Sequence, residues 1–138
     1  MITHSTQVTV RWSDADPAGI AYYPRFFAWY DLGTETLFAS LGLAWHDTFE
    51  RYHILGVPIV ESGSTFVSPV RYGDVLTIRS SIGWVKDKTF RVEHEVSIGQ
   101  RPCARGFEVR AWVKRPAAPG GALHAEAIPA DVRQRLAG

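Results

Sequence analysis

The 138-residue chain is 46% hydrophobic and 21% charged, with 15 basic residues against 14 acidic ones and a formal charge of +1. That is enough chain for one core burying roughly 68% of the surface an unfolded chain exposes, and too little for a doubly wound enzyme with a second lobe. The near-neutral balance offers no electrostatic footprint for nucleic acid or an anionic membrane. A lone cysteine, Cys103, excludes an internal disulfide, and no clustered Cys/His spacing points to a structural zinc.

Met1 to Thr6 carries neither a basic region nor an apolar run of the leader type, and no stretch approaches the ~20 apolar residues of a membrane span. A single domain over 1–138, soluble and cytoplasmic, is expected. From Gln7 to Asp14, Val8, Val10 and Trp12 alternate with polar residues, the period of a half-buried strand. Asp14-Ala15-Asp16-Pro17-Ala18-Gly19 is turn chemistry and should end it. Pro24 suits the first position of a helix running to the stop at Gly42, apolar over most of its circumference and so expected to be wrapped by other structure.

The second half predicts strands. Val57 to Val70 supplies one long or two short strands, and Leu76, Ile78, Ile82 and Trp84 form an apolar row interrupted by Ser80. Phe90 to Ile98 alternates with its even positions toward a core, and Phe107, Val109, Ala111 and Val113 repeat the pattern against outward Glu108, Arg110 and Lys114. Lys86-Asp87-Lys88 and Gly99-Gln100-Arg101-Pro102 are hairpin connections, Pro116 to Gly121 is a loop, and Ile128 to Leu136 is a short closing helix. The order predicts an α+β class: an antiparallel sheet of about five strands wrapped around one long central helix, the hot-dog arrangement. One helix cannot cover the sheet edges, which predicts a homodimer.

The carboxylate loop leading into the start of the apolar helix is the strongest chemical signal. Unpaired N–H groups at a helix start carry roughly +0.5 of a charge and can hold an oxyanion, while a neighbouring carboxylate can attack a carbonyl or activate water. Such equipment suits acyl transfer. On the residues alone, an alternative stays open in which Asp14 and Asp16 only order a turn.

Arg11-Trp12-Ser13-Asp14-Ala15-Asp16-Pro17-Ala18-Gly19-Ile20, with Tyr23-Pro24 and Trp29-Tyr30-Asp31 after it, resembles the signature of the 4-hydroxybenzoyl-CoA thioesterases. Gly56 to Val60, Phe66-Val67, Asp74 to Ile78 and Ile128 to Asp131 extend the resemblance over nearly the whole chain. Pro24 stands where related acyl-CoA thioesterases of the Tol-Pal type tend to have histidine, which favours the aryl-CoA branch.

What the resemblance implies is hydrolysis of an acyl-CoA with Asp16 as nucleophile or general base and the Tyr23 backbone N–H polarising the thioester carbonyl. Asp31 and Trp29 become candidates for the acyl pocket, Asp31 toward a ring hydroxyl, with Phe26, Phe27 and Tyr30 beside them. Gly19 belongs to the substrate-binding loop, and Glu61 is the rival carboxylate. Lys86 and Lys88 fall where the family has a basic cluster, here diluted by Asp87, and are expected to meet the coenzyme A phosphates, with Arg71 and Arg91 as weaker candidates. No metal or redox cofactor is implied, and the resemblance admits a homotetramer beside the homodimer. His94, on the inward parity of its strand, is expected to be a hydrogen-bonded core histidine, while His46, His53 and Trp45 are placed near the acyl pocket.

Beside a thioesterase acting on aliphatic acyl-CoA, three further readings compete with the aryl-CoA one. The Asp14-x-Asp16 spacing also resembles the aspartyl motif of the haloacid-dehalogenase phosphatases, but that fold needs a parallel sheet. A hot-dog hydratase would need an Asp-His or His-Glu pair, and none adjoins the helix start. A non-catalytic acyl-CoA binding module would keep the pocket without using Asp16.

Overall fold

In the computed structural model, which describes residues 2–138, the chain runs β1 (Thr3–Thr9), α1 (Pro24–Ser40), α2 (Trp45–Arg51), β2 (Ile54–Gly56), β3 (Ile59–Phe66), β4 (Val75–Val85), β5 (Thr89–Ile98), β6 (Arg101–Ala111), β7 (Val113–Lys114) and α3 (Ala130–Ala137). Five strands form one antiparallel sheet in the order β1-β4-β5-β6-β3, and β2 pairs with β7 in a small ribbon. This is the expected α+β arrangement, with β3 and β1 as the two edges.

The inward rows follow the period of two. Leu76, Ile78, Ser80 and Ile82 of β4 and Phe90, Val92, His94 and Val96 of β5 are all buried. Across them lies α1, whose Phe26, Trp29, Tyr30, Leu37 and Phe38 recur at the three-and-four spacing of one helical face. Each such side chain contributes roughly 1.5–3 kcal/mol when fully buried. Close approach of helix and sheet requires Gly106 of β6, because a Cβ there would lie 2.3 Å from the Tyr30 ring.

Several expectations are corrected. The first strand occupies Thr3–Thr9 rather than Gln7 to Asp14. Asp14 stops it, its carboxylate accepting the Arg11 N–H (2.8 Å) while its own N–H donates to the Arg11 carbonyl, which winds Trp12–Asp14 into a 3-10 turn and leaves Trp12 exposed. The helix α1 is not enclosed on all sides: Ala28, Asp31, Glu35 and Ala39 form an exposed stripe opposite the packed one. Only Gly99 and Gln100 turn the β5–β6 hairpin, since Arg101 and Pro102 already pair with Ile98 and Ser97. The short helix α2 was not anticipated. Its Trp45 stacks on Phe49 and meets the Phe38 ring at a tilt, adding to the core beneath α3. No helix among the described residues is long and apolar enough to cross a membrane.

Candidate active site

The segment from Asp14 to Tyr22 folds back on itself. Tyr22 N–H donates to the Asp14 carbonyl (2.7 Å), Asp16 N–H to that of Ile20 (3.0 Å), and Ala15 bridges Ala21. Ala21 N–H then ties the loop to the Val70 carbonyl. Gly19, at φ +81°, makes the tight return possible, since L side chains rarely adopt that conformation.

The two acids of the loop diverge. Asp14 is 5% exposed, its carboxylate bonded to the Arg11 N–H and 3.6 Å from Arg25 Nε. Asp16 is half-buried, and its Oδ1 accepts the Ala18 N–H at 2.8 Å, an Asx bond that fixes the side chain and leaves Oδ2 uncommitted. Thus the turn-forming reading of Asp16 is structurally true, yet it uses one of two oxygens. Asp16 and Gly19 line a surface cavity of about 410 Å³ together with Trp12, Pro17 and Tyr72.

At the start of α1, Arg25 and Phe26 N–H groups donate to the Tyr22 and Tyr23 carbonyls, and Pro24 has no N–H. The Tyr23 N–H is left as an unpaired backbone donor, bonded to no acceptor among the described residues. A second depression of about 230 Å³ opens beside it, lined by Tyr23, Phe26, Phe66, Val67, Pro69 and Val70. In one chain, Asp16 and Tyr23 therefore face two adjoining hollows rather than a single cleft.

The remaining expected residues are dispersed. Asp31 lies on the exposed stripe of α1, but a buried arginine on β6 holds it: Arg110 Nη2 donates to Asp31 Oδ1 at 2.6 Å. Trp29 is in the core against Phe26, so in this chain it offers packing rather than pocket surface. Glu61 is exposed on the edge strand β3, outside both hollows. Lys86 and Lys88 are exposed at the β4–β5 turn, Lys86 Nζ lying 4.5 Å over the Trp84 ring. That turn is at the far end of β4 from the Asp16 loop, which packs where Val10 N–H meets the Asp74 carbonyl. Eleven residues of strand separate them by roughly 36 Å. Trp45 is spent on the core, and His46 and His53 border neither hollow.

What sequence reasoning missed is a buried polar column. His94 is buried as expected, its Nδ1 2.7 Å from Ser80 Oγ and its ring stacked on Tyr30. Its Nε2 lies 3.4 Å from Glu108 Oε1, and Thr34 Oγ1 donates to the same oxygen. An ionised carboxylate only accepts, so Nε2 carries a proton. Glu108 and Arg110, expected to face outward, face the helix and are buried. Burial alone would raise the Glu108 pKa, but the His94 hydrogen bond, the Arg110 charge and the Thr34 hydroxyl outweigh it and hold the carboxyl below its ordinary value. Arg110 is correspondingly raised: the cost of burial is exceeded by its pairing with Glu108 and Asp31.

Comparison with known proteins gives the family. Residues 10–136 match the Thioesterase-like superfamily. Over 131 residues the chain is 33% identical to 4-hydroxybenzoyl-CoA thioesterase of Pseudomonas sp. (strain CBS-3), covering 91% of each chain. The chain belongs to this thioesterase family. The solved structure of that Pseudomonas enzyme superposes with a TM-score of 0.88 at 31% identity, covering 98% of this chain and 99% of the other. A gentisyl-coenzyme A thioesterase matches at a TM-score of 0.82 and 32% identity, over 98% of this chain and 100% of its own. More distantly, a 1,4-dihydroxy-2-naphthoyl-CoA hydrolase of Synechococcus sp. (strain WH7803) is 23% identical over 92% of this chain and 84% of that one. The fold of this thioesterase is the hot-dog fold, and its chemistry is thioester hydrolysis.

Proposed function

We propose that the enzyme hydrolyses a hydroxylated aryl acyl-CoA, with 4-hydroxybenzoyl-CoA as the first candidate, to the free acid and coenzyme A. One observation carries the reading: the same small hairpin holds the half-committed Asp16 carboxylate and delivers the chain to the unpaired Tyr23 N–H at the start of α1. Asp16 Oδ2 attacks the thioester carbon or takes a proton from the attacking water, while the Tyr23 N–H receives the oxyanion. One such preorganised donor lowers the barrier by about 2.7–4 kcal/mol. Collapse of the intermediate expels coenzyme A as the thiolate; on the water route this leaves the free acid, and on the nucleophilic route it leaves an Asp16 mixed anhydride that a water then hydrolyses, releasing the acid and restoring the carboxylate.

An aryl group fits the neighbouring depression. A cavity of about 150 Å³ suffices for benzene, and the hollow beside Tyr23 has about 230 Å³ with aromatic walls. Asp31 follows Tyr23 by eight residues, about 12 Å along the helix axis. Two hydrogen bonds of ~2.9 Å each and the length of a para-substituted benzoyl group together bridge that span, so Asp31 suits a ring hydroxyl. The relatives named for hydroxybenzoyl, gentisyl and dihydroxynaphthoyl esters share the hydroxylated ring.

The working form is a two-fold dimer joined along β3. This strand leaves one side of its backbone ladder unpaired and exposes Ile59, Val60, Phe66 and, just beyond it, Val67, whereas the other edge, β1, is mostly Thr, Ser and Gln. An isologous antiparallel pairing sets the Ile59 end of one β3 beside the Phe66 end of the other. The Lys86 and Lys88 turn of one chain is thereby brought toward the Asp16 loop of its partner, where the coenzyme A phosphates need cations. A reducing compartment such as the cytoplasm suits the free, buried Cys103.

The test is release of free thiol from 4-hydroxybenzoyl-, benzoyl-, 1,4-dihydroxy-2-naphthoyl- and octanoyl-CoA. Highest kcat/KM for a hydroxylated aryl ester is expected; binding of these esters without turnover of any would indicate a ligand-binding module instead.

A further inference from the structure

Asp31 is an exposed acid on the outer stripe of α1, yet it is fastened to the interior. Its partner Arg110 has a side chain only 7% accessible, and every nitrogen of the guanidinium is engaged. Nε lies 3.2 Å from Glu108 Oε1, Nη2 3.0 Å from Glu108 Oε2 as well as 2.6 Å from Asp31 Oδ1, and Nη1 3.1 Å from the Val57 carbonyl oxygen. Glu108 is held in turn by Thr34 and His94, and His94 by Ser80. A guanidinium so bound cannot turn without breaking buried bonds. An ion pair buried in this way is a poor source of stability, since apolar groups of similar volume usually serve as well or better. What this one does have is a surface carboxylate at its end. Asp31 Oδ1 is taken by Arg110, and Oδ2 carries no hydrogen bond among the described residues.

We propose that Arg110 is a positioning residue for substrate selectivity: anchored through Glu108, it fixes the Asp31 carboxylate so that Oδ2 accepts the hydroxyl of a hydroxylated aryl acyl group. This rests on the role given to Asp31 above. A free aspartate on an exposed helix face would sample several rotamers, and orienting it would be charged to every binding event. Held by Arg110, the acceptor is preorganised. Discrimination then resides in a bond that a non-hydroxylated ring cannot make.

The experiment compares kcat/KM for 4-hydroxybenzoyl-CoA and benzoyl-CoA in the wild type, Asp31→Asn and Arg110→Lys. Lysine keeps a cation for Glu108, but its single ammonium cannot span Glu108, Asp31 and the Val57 carbonyl together. The preference of the wild type for the hydroxylated ester should fall about tenfold in Arg110→Lys, chiefly through KM, and Asp31→Asn should reproduce the fall. A merely structural role lowers both esters together and leaves their ratio intact. If Asp31→Asn removes the preference and Arg110→Lys keeps it, the positioning role is overturned while the Asp31 reading stands. A preference untouched in Asp31→Asn removes that reading, and this inference with it. Should Arg110→Lys fail to fold, the Glu108→Gln, Arg110→Met double variant dismantles the anchor without stranding a buried charge and is read by the same ratio.

Discussion

Asp14 and Asp16 stand two residues apart with different tasks. Asp14 is sealed under the loop and holds the Arg11 N–H, whereas Asp16 keeps one oxygen free toward the surface cavity. Asp14→Ala should therefore cost about 1–3 kcal/mol of stability, because the part-buried Arg11 N–H loses its charged acceptor. Asp16→Asn keeps an oxygen for the Asx bond and should stay within about 0.5 kcal/mol of wild type. Thermal or denaturant unfolding of the two variants side by side measures both. From the sequence, the pair could be recognised as a carboxylate turn, and the resemblance singled out Asp16. Which acid would be buried was not legible, because it depends on Arg25 and on the docking of the loop at Val70, far along the chain.

At the scale of the elements, α1, β5 and β6 share the polar column. The inward parity of β5 was readable because its apolar residues alternate cleanly, and His94 fell on the buried side as expected. On β6 the pattern misleads. Phe107 is on the outer face, where the Arg91 guanidinium covers its ring at 3.9 Å, and Glu108 and Arg110 take the helix-facing parity even though Val109 and Ala111 are buried as well. Glu108 has a folded-state pKa below its ordinary value. Its contribution to stability is therefore present above the ordinary carboxylate range and is lost as pH falls through the depressed folded value. In Glu108→Gln, unfolding followed from pH 7 to pH 3 should show a weaker acid dependence than wild type. At pH 7 the variant should already be less stable, by about 3–5 kcal/mol, since Arg110 loses its buried counter-charge.

For the whole molecule, the long helix, the five-stranded antiparallel sheet and the closing helix were legible from periodicity and turn residues, whereas the short α2 and the β2–β7 ribbon were not. The exposed stripe of α1 was not, since Ala28 and Ala39 count as apolar in any pattern, and neither was the distance between the Asp16 loop and the lysine turn, which only the sheet topology reveals. The proposed dimer is argued from that distance. Val60→Asp on the β3 edge should shift the protein toward monomer in sedimentation velocity and lower kcat/KM together with it. Joint replacement of Lys86 and Lys88 by alanine should raise KM for an acyl-CoA roughly tenfold at low salt and flatten its dependence on ionic strength. The most direct test of the central claim is the turnover of 4-hydroxybenzoyl-CoA by wild type and folded Asp16→Asn under saturating substrate. The account predicts that kcat falls by a factor on the order of 10² to 10⁴ while the ester still binds. Hydrolysis at near wild-type rate by the variant would contradict it and transfer attention to Glu61.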